Sequence, residues 1–273
     1  MADQSARSAA QLTSLPAWGQ AMDRALRLDR PELVPQLAQV VLARLPRHLA
    51  TYQRLLDAWW QMRAWAEGET WARRLLRADP GSAKAWRALA RHAEERGERA
   101  RAQTMWQHAF EQAPFDADVR AGLARTSLER HDPLVLNTAC LAALRLRGFH
   151  WGQAAAVYRP LVEAAPQRLD YVLGYMLALW RLGQNQTAYG AARFLVRKDP
   201  HVLPAWVVIA ATGDENDRAL ALNPRTTMDP DGEYMALRLG LEFAPPGERR
   251  PLGVADQPYT FAVSAQEAAL LLG

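Results

Sequence analysis

The spacing of the prolines is the feature that most constrains the fold of this 273-residue chain. Pro46, Pro80 and Pro114 are 34 residues apart, and Pro166 and Pro200 repeat that interval. Each proline closes a helix-like run, because proline lacks the N–H that a continuing helix would need. A fixed period of this length is typical of repeat architectures, in which each unit buries its apolar face against its neighbours.

Residues of one type recur at fixed distances from these prolines. A large aromatic residue stands six positions after a closing proline, a leucine three positions further on, and a small residue twelve positions before the next proline. The matching residues are Trp18, Tyr52, Trp86 and Trp206 for the aromatic, Leu55, Leu89 and Leu123 for the leucine, and Ala102, Ala154 and Ala188 for the small residue. This register resembles the tetratricopeptide repeat (TPR) family over residues 15–224, and the resemblance implies an all-α, right-handed superhelical solenoid.

The repeat pattern predicts the organisation of the chain. Units of the solenoid end near residues 46, 80, 114, 166, 200 and 224. The 52 residues between Pro114 and Pro166 exceed one unit by 18, which predicts an extra helix at about 115–131. A capping helix is expected at 225–245, with Asp229 as its N-cap. Residues 246–273 form a C-terminal extension, where PYTFAV fits a short strand or a ligand-like segment, and Ser264 with Glu267 fits a capping box that begins a short helix.

Charge is distributed unevenly along the chain. Residues 1–213 carry 28 basic and 19 acidic side chains, a net charge of +9, whereas residues 214–273 carry 5 and 10, a net charge of −5. The body of the protein is therefore expected to prefer acidic partners. Its own acidic tail is one of the candidates for such a contact.

A basic stripe follows the first helix of the unit after Pro80. Lys84, Arg87 and Arg91 have the i, i+3, i+7 spacing that places side chains on one helical face. Arg125 occupies the position equivalent to Arg91 in the next first helix. The resemblance implies that these residues face the concave groove, where they would bind an acidic peptide. The alternative is a solvated arginine face that is paired in part with Glu94 and Glu95.

Two tryptophans stand apart from the consensus core positions. Trp60 and Trp180 each lie 14 residues after a closing proline, and the resemblance implies that this position lines the groove. Either they contact a ligand or they are consensus aromatics of the repeat.

Signatures of catalysis and of cofactor binding are missing from the sequence. It contains no GxSxG, GxxxxGK[ST], HExxH or CxxC motif, and its six histidines are scattered. We therefore expect no enzymatic activity, no metal and no cofactor. Because the sequence also lacks a signal-peptide-like run and a membrane-length apolar run, we expect a cytoplasmic location without a membrane span.

These features predict an adaptor or scaffold that binds a partner peptide or helix, of acidic character, in its concave groove. One alternative is a structural subunit that contacts a larger assembly through its convex face or its tail. A second alternative is a helical repeat that binds RNA, although the mixed charge and the near absence of lysine make nucleic acid the weaker choice. A third is self-inhibition by the acidic tail.

Overall fold

A computed structural model describes residues 11–127, 135–240 and 252–271. Within these ranges the regular structure is fifteen α-helices, one short 3₁₀ helix at Pro31–Leu33 and two four-residue strands. The strands are β1, Gln11–Ser14, and β2, Thr260–Val263. The helices are α1 Leu15–Arg27, α2 Val34–Arg44, α3 Leu49–Gln61, α4 Trp65–Ala78, α5 Ala83–Glu95, α6 Arg99–Gln112, α7 Ala117–Thr126, α8 Thr138–Arg147, α9 Trp151–Ala164, α10 Leu169–Arg181, α11 Asn185–Lys198, α12 Leu203–Thr212, α13 Glu215–Met228, α14 Glu233–Leu239 and α15 Ala265–Ala269.

Helices that follow one another in sequence are also neighbours in space. From α3 to α7 and from α8 to α13, each helix packs on the next along the chain. This order of contacts confirms the predicted all-α solenoid fold class. None of the described helices is long and apolar enough to cross a membrane.

The recurring aromatic has a clear structural reason. The indole Nε1 of Trp86 donates a hydrogen bond of 2.9 Å to the carbonyl of Pro80, and that of Trp206 donates one of 2.8 Å to the carbonyl of Pro200. The hydroxyl of Tyr52 donates to the carbonyl of Pro46 in the same way. The aromatic six residues after Pro46, Pro80 and Pro200 therefore ties the first helix of a unit to the end of the preceding one.

The helix predicted at 115–131 is seen as α7, which begins at Ala117 and ends at Thr126. Asp116 caps it by accepting a hydrogen bond of 3.0 Å from the amide of Val119. Both α7 and α8 pack on α6, so α7 is added between two helical hairpins. Residues 128–134, which include the predicted end of this helix at His131, lie outside the described part of the chain.

The end of the solenoid differs from the sequence prediction. Pro224 does not close a unit, because it lies inside α13, which continues to Met228. In place of one capping helix at 225–245, the residues up to 240 form the last turn of α13 and the short α14, and residues 241–245 lie outside the described part of the chain. Asp229 precedes α14 in sequence and caps this helix. Its carboxylate accepts 3.0 Å hydrogen bonds from the amides of Tyr234 and Met235.

The described part of the C-terminal extension packs on the first helices of the chain. Strand β2 pairs antiparallel with β1, with Thr13 opposite Phe261, and Phe261 stacks on Trp18 with ring centroids 6.1 Å apart. The predicted strand is confirmed, and so is the capping box that begins α15, because Ser264 and Glu267 each accept a hydrogen bond from the other's amide.

Helix α14 holds the two ends of the solenoid together. The buried Arg54 of α3 bonds to Asp23 of α1 at 2.8 Å and to Glu233 of α14. Tyr234 and Met235 of α14 belong to a core cluster shared with α3, α4 and α5. The inner face of the N-terminal units is therefore covered in part by the protein's own C-terminal helices.

Candidate partner-binding site

Helix α5 presents the predicted basic stripe because its other face is buried. Ala85, Ala88 and Leu89 pack into the core, which leaves Lys84, Arg87 and Arg91 on the face that they share. The hydroxyl of Ser82 caps the helix by accepting a hydrogen bond from the amide of Ala85.

The first two cations of the stripe are paired with carboxylates of neighbouring first helices. The Lys84 Nζ lies 2.6 Å from the Asp57 carboxylate of α3. The Arg87 Nη1 lies 3.3 Å from both Asp116 and Asp118, at the start of α7. Salt bridges therefore connect α3, α5 and α7.

The other two cations share one carboxylate. Arg91 bonds to Glu94 at 2.5 Å and to Glu95 at 2.6 Å, while Arg125 of α7 reaches Glu94 at 3.1 Å. Glu94 also accepts a 3.0 Å hydrogen bond from the indole Nε1 of Trp106. The predicted pairing of Arg91 with Glu94 and Glu95 is confirmed.

Tryptophan rings lie beneath the three arginines. The guanidinium carbon lies 4.1 Å from the ring centroid of Trp60 for Arg87, 5.1 Å from that of Trp65 for Arg91, and 5.9 Å from that of Trp106 for Arg125. Contacts of this kind contribute about 0.5–1 kcal/mol each at exposed sites. We call this area the Arg–Trp surface; its members are Trp60, Trp65, Arg87, Arg91 and Arg125, and the buried Trp106 lies beneath Arg125.

Sequence reasoning missed part of this surface and included one residue that lies elsewhere. Trp65, which the sequence analysis did not single out, packs edge-on against Trp60 with ring centroids 5.0 Å apart. Trp180 packs against the core clusters of α10, α12 and α14, near Trp206 and Leu239, and is not part of the Arg–Trp surface.

Internal pairing removes the positive charge that the stripe was expected to offer. Its four cations bond to five carboxylates, which are Asp57, Glu94, Glu95, Asp116 and Asp118. An acidic ligand would have to compete with these groups. Arg125 is the most accessible of the four, because half of its side chain is exposed.

An inner recess begins at Lys84. This cavity of about 220 Å³ is lined by α3, α5, α6, α8, α9, α14 and the loop between α4 and α5, and its charged lining residues are Lys84, Asp79, Arg147 and Arg238. Asp79 is buried and accepts a 2.8 Å hydrogen bond from Arg238 and a 2.7 Å hydrogen bond from Tyr234. The lining therefore holds three cations and one carboxylate.

Arg147 differs from the other cations of the inner recess in its lack of a described carboxylate partner. Among the residues that the structure describes, no carboxylate forms a salt bridge with it. Burial lowers the pKa of its guanidinium, and the positive charge of Arg238 lowers that pKa further. The side chain is nevertheless accessible to solvent, because it lines an open recess rather than the core.

The described residues of the acidic tail contact basic residues of the solenoid, but none of the predicted ones. Glu267 bonds to Arg44 at 2.7 Å, and Glu233 bonds to Arg54. These contacts close the chain on itself and leave the Arg–Trp surface untouched.

One cluster has the residue types of a metal site. Within the described ranges, ligand atoms of His108, Glu111 and Asp170 lie within 4.8 Å of one another. The guanidinium of Arg168 bridges both carboxylates, at 2.6 Å and 2.7 Å, and supplies the positive charge that a metal would bring. We therefore assign this cluster a structural role between α6 and α10.

Comparison with known proteins adds no relative: no protein-family model matches the chain, and no curated protein matches it in sequence. The structure shows a helical repeat array.

Proposed function

We propose that this chain is a protein-binding scaffold of the tetratricopeptide kind, which holds a carboxylate of a partner segment in the inner recess. The observation that supports this is the unpaired Arg147 in a recess whose lining carries three cations and one carboxylate. A guanidinium is suited to this task because its fork of N–H groups binds a carboxylate bidentately.

The Arg–Trp surface offers such a partner a second area of contact beyond the inner recess. Arg87 lies one helical turn beyond Lys84 on the same face of α5, so a segment that leaves the recess passes over Trp60 and Trp65. Tryptophan and arginine are the residues that most often dominate binding energy at interfaces. Arg87 and Arg91 provide contact area to the partner rather than free charges. Arg125 is the accessible cation of this surface.

The test uses a partner identified by mass spectrometry of proteins that co-purify with the native protein. Peptides that cover that partner are titrated against the wild type, Arg147→Gln and the matched control Arg145→Gln. Arg145 lies on the same helix and carries the same charge, but it does not line the recess. A charged hydrogen bond contributes about 1.5–3 kcal/mol, so we expect Arg147→Gln to weaken binding about 10- to 100-fold. Arg145→Gln should change it less than about twofold.

Equal affinity of the two variants would reject the inner recess as the binding site. A loss that follows Trp60→Ala but not Arg147→Gln would place the partner on the Arg–Trp surface alone. If the native protein instead binds a generic RNA oligonucleotide with a steep salt dependence, the RNA-binding alternative replaces this proposal.

A further inference from the structure

A second cavity lies where early and late units of the solenoid meet. It has a volume of about 290 Å³ and lies between the loop after α2, the first turn of α3, the C-terminal end of α4, the loop before α12 and the end of α13. Its polar lining consists of Arg47, Tyr52, Arg74, Arg77 and His201. We call it the seam pocket; it shares no lining residue with the inner recess.

The seam pocket collects positive charge without a carboxylate in its wall. Three arginines line it, and no aspartate or glutamate does. Arg77 bonds to Asp199, outside the lining, at 3.2 Å. Within the described ranges, Arg47 and Arg74 form no salt bridge at all. Three like charges around one cavity repel one another, so an anion placed among them would be stabilised by all three.

Neighbouring groups hold the guanidiniums of Arg74 and Arg47 in place. Arg74 lies over the ring of Trp71 at 4.9 Å, and Trp71 packs against Tyr52 with ring centroids 5.2 Å apart. The Arg47 Nη2 lies 3.5 Å from the Met228 sulfur. These contacts do not neutralise either charge, so both guanidiniums keep their capacity to bind an anion.

The Tyr52 phenol lies close to two of these positive charges, those of Arg74 and Arg47. Burial raises the pKa of the Tyr52 phenol, and the positive charges of Arg74 and Arg47 both oppose that rise. The two guanidiniums therefore act on the same buried phenol at the floor of the pocket.

The rest of the lining is apolar, which narrows the class of ligand. Pro46 is the exposed apolar residue of the wall, and Leu49, Ala78 and Met228 lie buried behind it. An inorganic anion would leave this surface unused, whereas an anion attached to an apolar group would cover it. Arginine clusters are the common recognition element for phosphate groups, which present several acceptor oxygens at once.

We propose that the seam pocket is a binding site for a phosphate monoester carried on an apolar or aromatic group, with Arg47, Arg74 and Arg77 as its anion ligands. The phosphate binds between the arginines, and the apolar group contacts Pro46 and the side-chain carbons of the arginines. Two sources offer this chemistry: a small phosphorylated molecule and a phosphorylated side chain of a partner protein. The proposal does not depend on the partner-binding function proposed above, because the two cavities are separate.

Calorimetric titration of the full chain with phenyl phosphate, inorganic phosphate and benzyl alcohol tests the proposal. We expect phenyl phosphate to bind at least tenfold more tightly than inorganic phosphate, and benzyl alcohol not to bind measurably. Arg47→Gln and Arg74→Gln should each weaken phenyl phosphate binding about tenfold or more. The matched control is Arg73→Gln, because Arg73 neighbours Arg74 on α4 but is paired with Glu69 at 2.6 Å and does not line the pocket.

Circular dichroism and thermal melting of each variant without ligand show whether it is folded. Arg74 is exposed on its helix, so Arg74→Gln remains an informative variant if Arg47→Gln does not fold. Absence of phenyl phosphate binding at millimolar concentration would overturn the proposal, and so would equal weakening by Arg73→Gln. A phosphotyrosine peptide that binds at least tenfold more tightly than phenyl phosphate would identify a partner protein as the source; weaker binding of that peptide would identify a small molecule.

Discussion

Replacement of Gly122 by alanine tests how α7 is inserted between the hairpins. Gly122 faces Trp106 of α6, and a Cβ at this position would lie 2.2 Å from the indole Cε2 and 2.4 Å from two further ring carbons. Ordinary carbon contacts begin near 3.4 Å. Trp106 is completely buried, and its Nε1 is hydrogen-bonded to Glu94, so the indole has no free space to move into. We therefore expect α7 to shift away from α6.

Two opposing effects determine how much Gly122→Ala changes the free energy of unfolding. Alanine in a helix interior is favoured over glycine by about 0.5–1 kcal/mol. Overpacking of a rigid core costs about 1–3 kcal/mol, and the full overlap of three ring carbons belongs at the upper end of that range. Gly122→Ala should therefore reduce the free energy of unfolding by about 2–2.5 kcal/mol.

Gly190 provides the matched control. It lies inside α11, and a Cβ added there would meet open space, so Gly190→Ala gains the helix preference without a clash. We expect it to raise the free energy of unfolding by about 0.5–1 kcal/mol. Gly174 offers a repeat of the main experiment, because a Cβ there would lie 2.3 Å from the buried ring of Tyr158.

Urea unfolding followed by circular dichroism, together with thermal melting, measures these effects. One kcal/mol corresponds to a shift of about 2–4 °C in Tm for a protein of this size class. The substitutions at Gly122 and Gly174 should lower Tm, and that at Gly190 should raise it. If Gly122→Ala stabilises the protein as much as Gly190→Ala does, the described packing of α7 on Trp106 is wrong.

Three further predictions concern the C-terminal closure. Asp79→Asn leaves the buried Arg238 without a charged partner, so we expect a loss of about 3–5 kcal/mol in urea unfolding and faster proteolysis near α14. Burial raises the pKa of Asp229 from 3.8 to about 7. The unfolded chain therefore releases its proton first, and between about pH 4 and 7 rising pH lowers the free energy of unfolding, by up to about 1.4 kcal/mol per pH unit. Asp229→Asn should remove that component, and identical pH profiles for the wild type and the variant would contradict it. Glu267→Gln breaks a solvated pair with Arg44 and should cost less than about 1 kcal/mol, measured as a shift in Tm of less than about 4 °C.

The helical hairpins could be predicted from the sequence because their determinants are local. The closing proline and the aromatic six residues later lie close together in sequence, at the junction of two units. Gly97 and Gly183 have positive φ angles of 72° and 83°, which shows why glycine suits these turns. A further regular signal lies in the helix interiors: Gly122 and Gly174 each stand eight residues after a closing proline, opposite the aromatic of the preceding helix.

The end of the solenoid was harder to predict because its contacts are long-range. Arg44 and Glu267 are 223 residues apart in sequence, and Arg54 and Glu233 are 179 apart. Periodicity within a unit carries no information about such pairs. The unit boundary predicted at Pro224 was wrong for another reason. Helix α13 continues through this proline, so a proline alone does not mark the end of a unit.

The sequence predicted which helical face of α5 carries the cations of the candidate site, but not that carboxylates pair with them. The i, i+3, i+7 spacing places Lys84, Arg87 and Arg91 together, as the structure shows. Their partners come from neighbouring units, with Asp57 lying 27 residues before Lys84 and Asp116 lying 29 residues after Arg87. The sequence of α5 alone therefore shows the cations without their carboxylates. Arg147 could not be singled out from the sequence, because the inner recess exists only once α8 and α14 come together.

The position of α14 links stability to binding at the inner recess. Tyr234, Leu237 and Arg238 of α14 form part of its wall, so the recess is complete only while α14 is docked. A ligand that binds only this docked form must stabilise it, and any change that releases α14 must weaken the ligand. Asp79 and Arg54 hold α14 through buried charges, so their contribution to folding is at the same time a contribution to the shape of the site. The closure of the solenoid is for this reason part of the proposed binding apparatus rather than an addition to it.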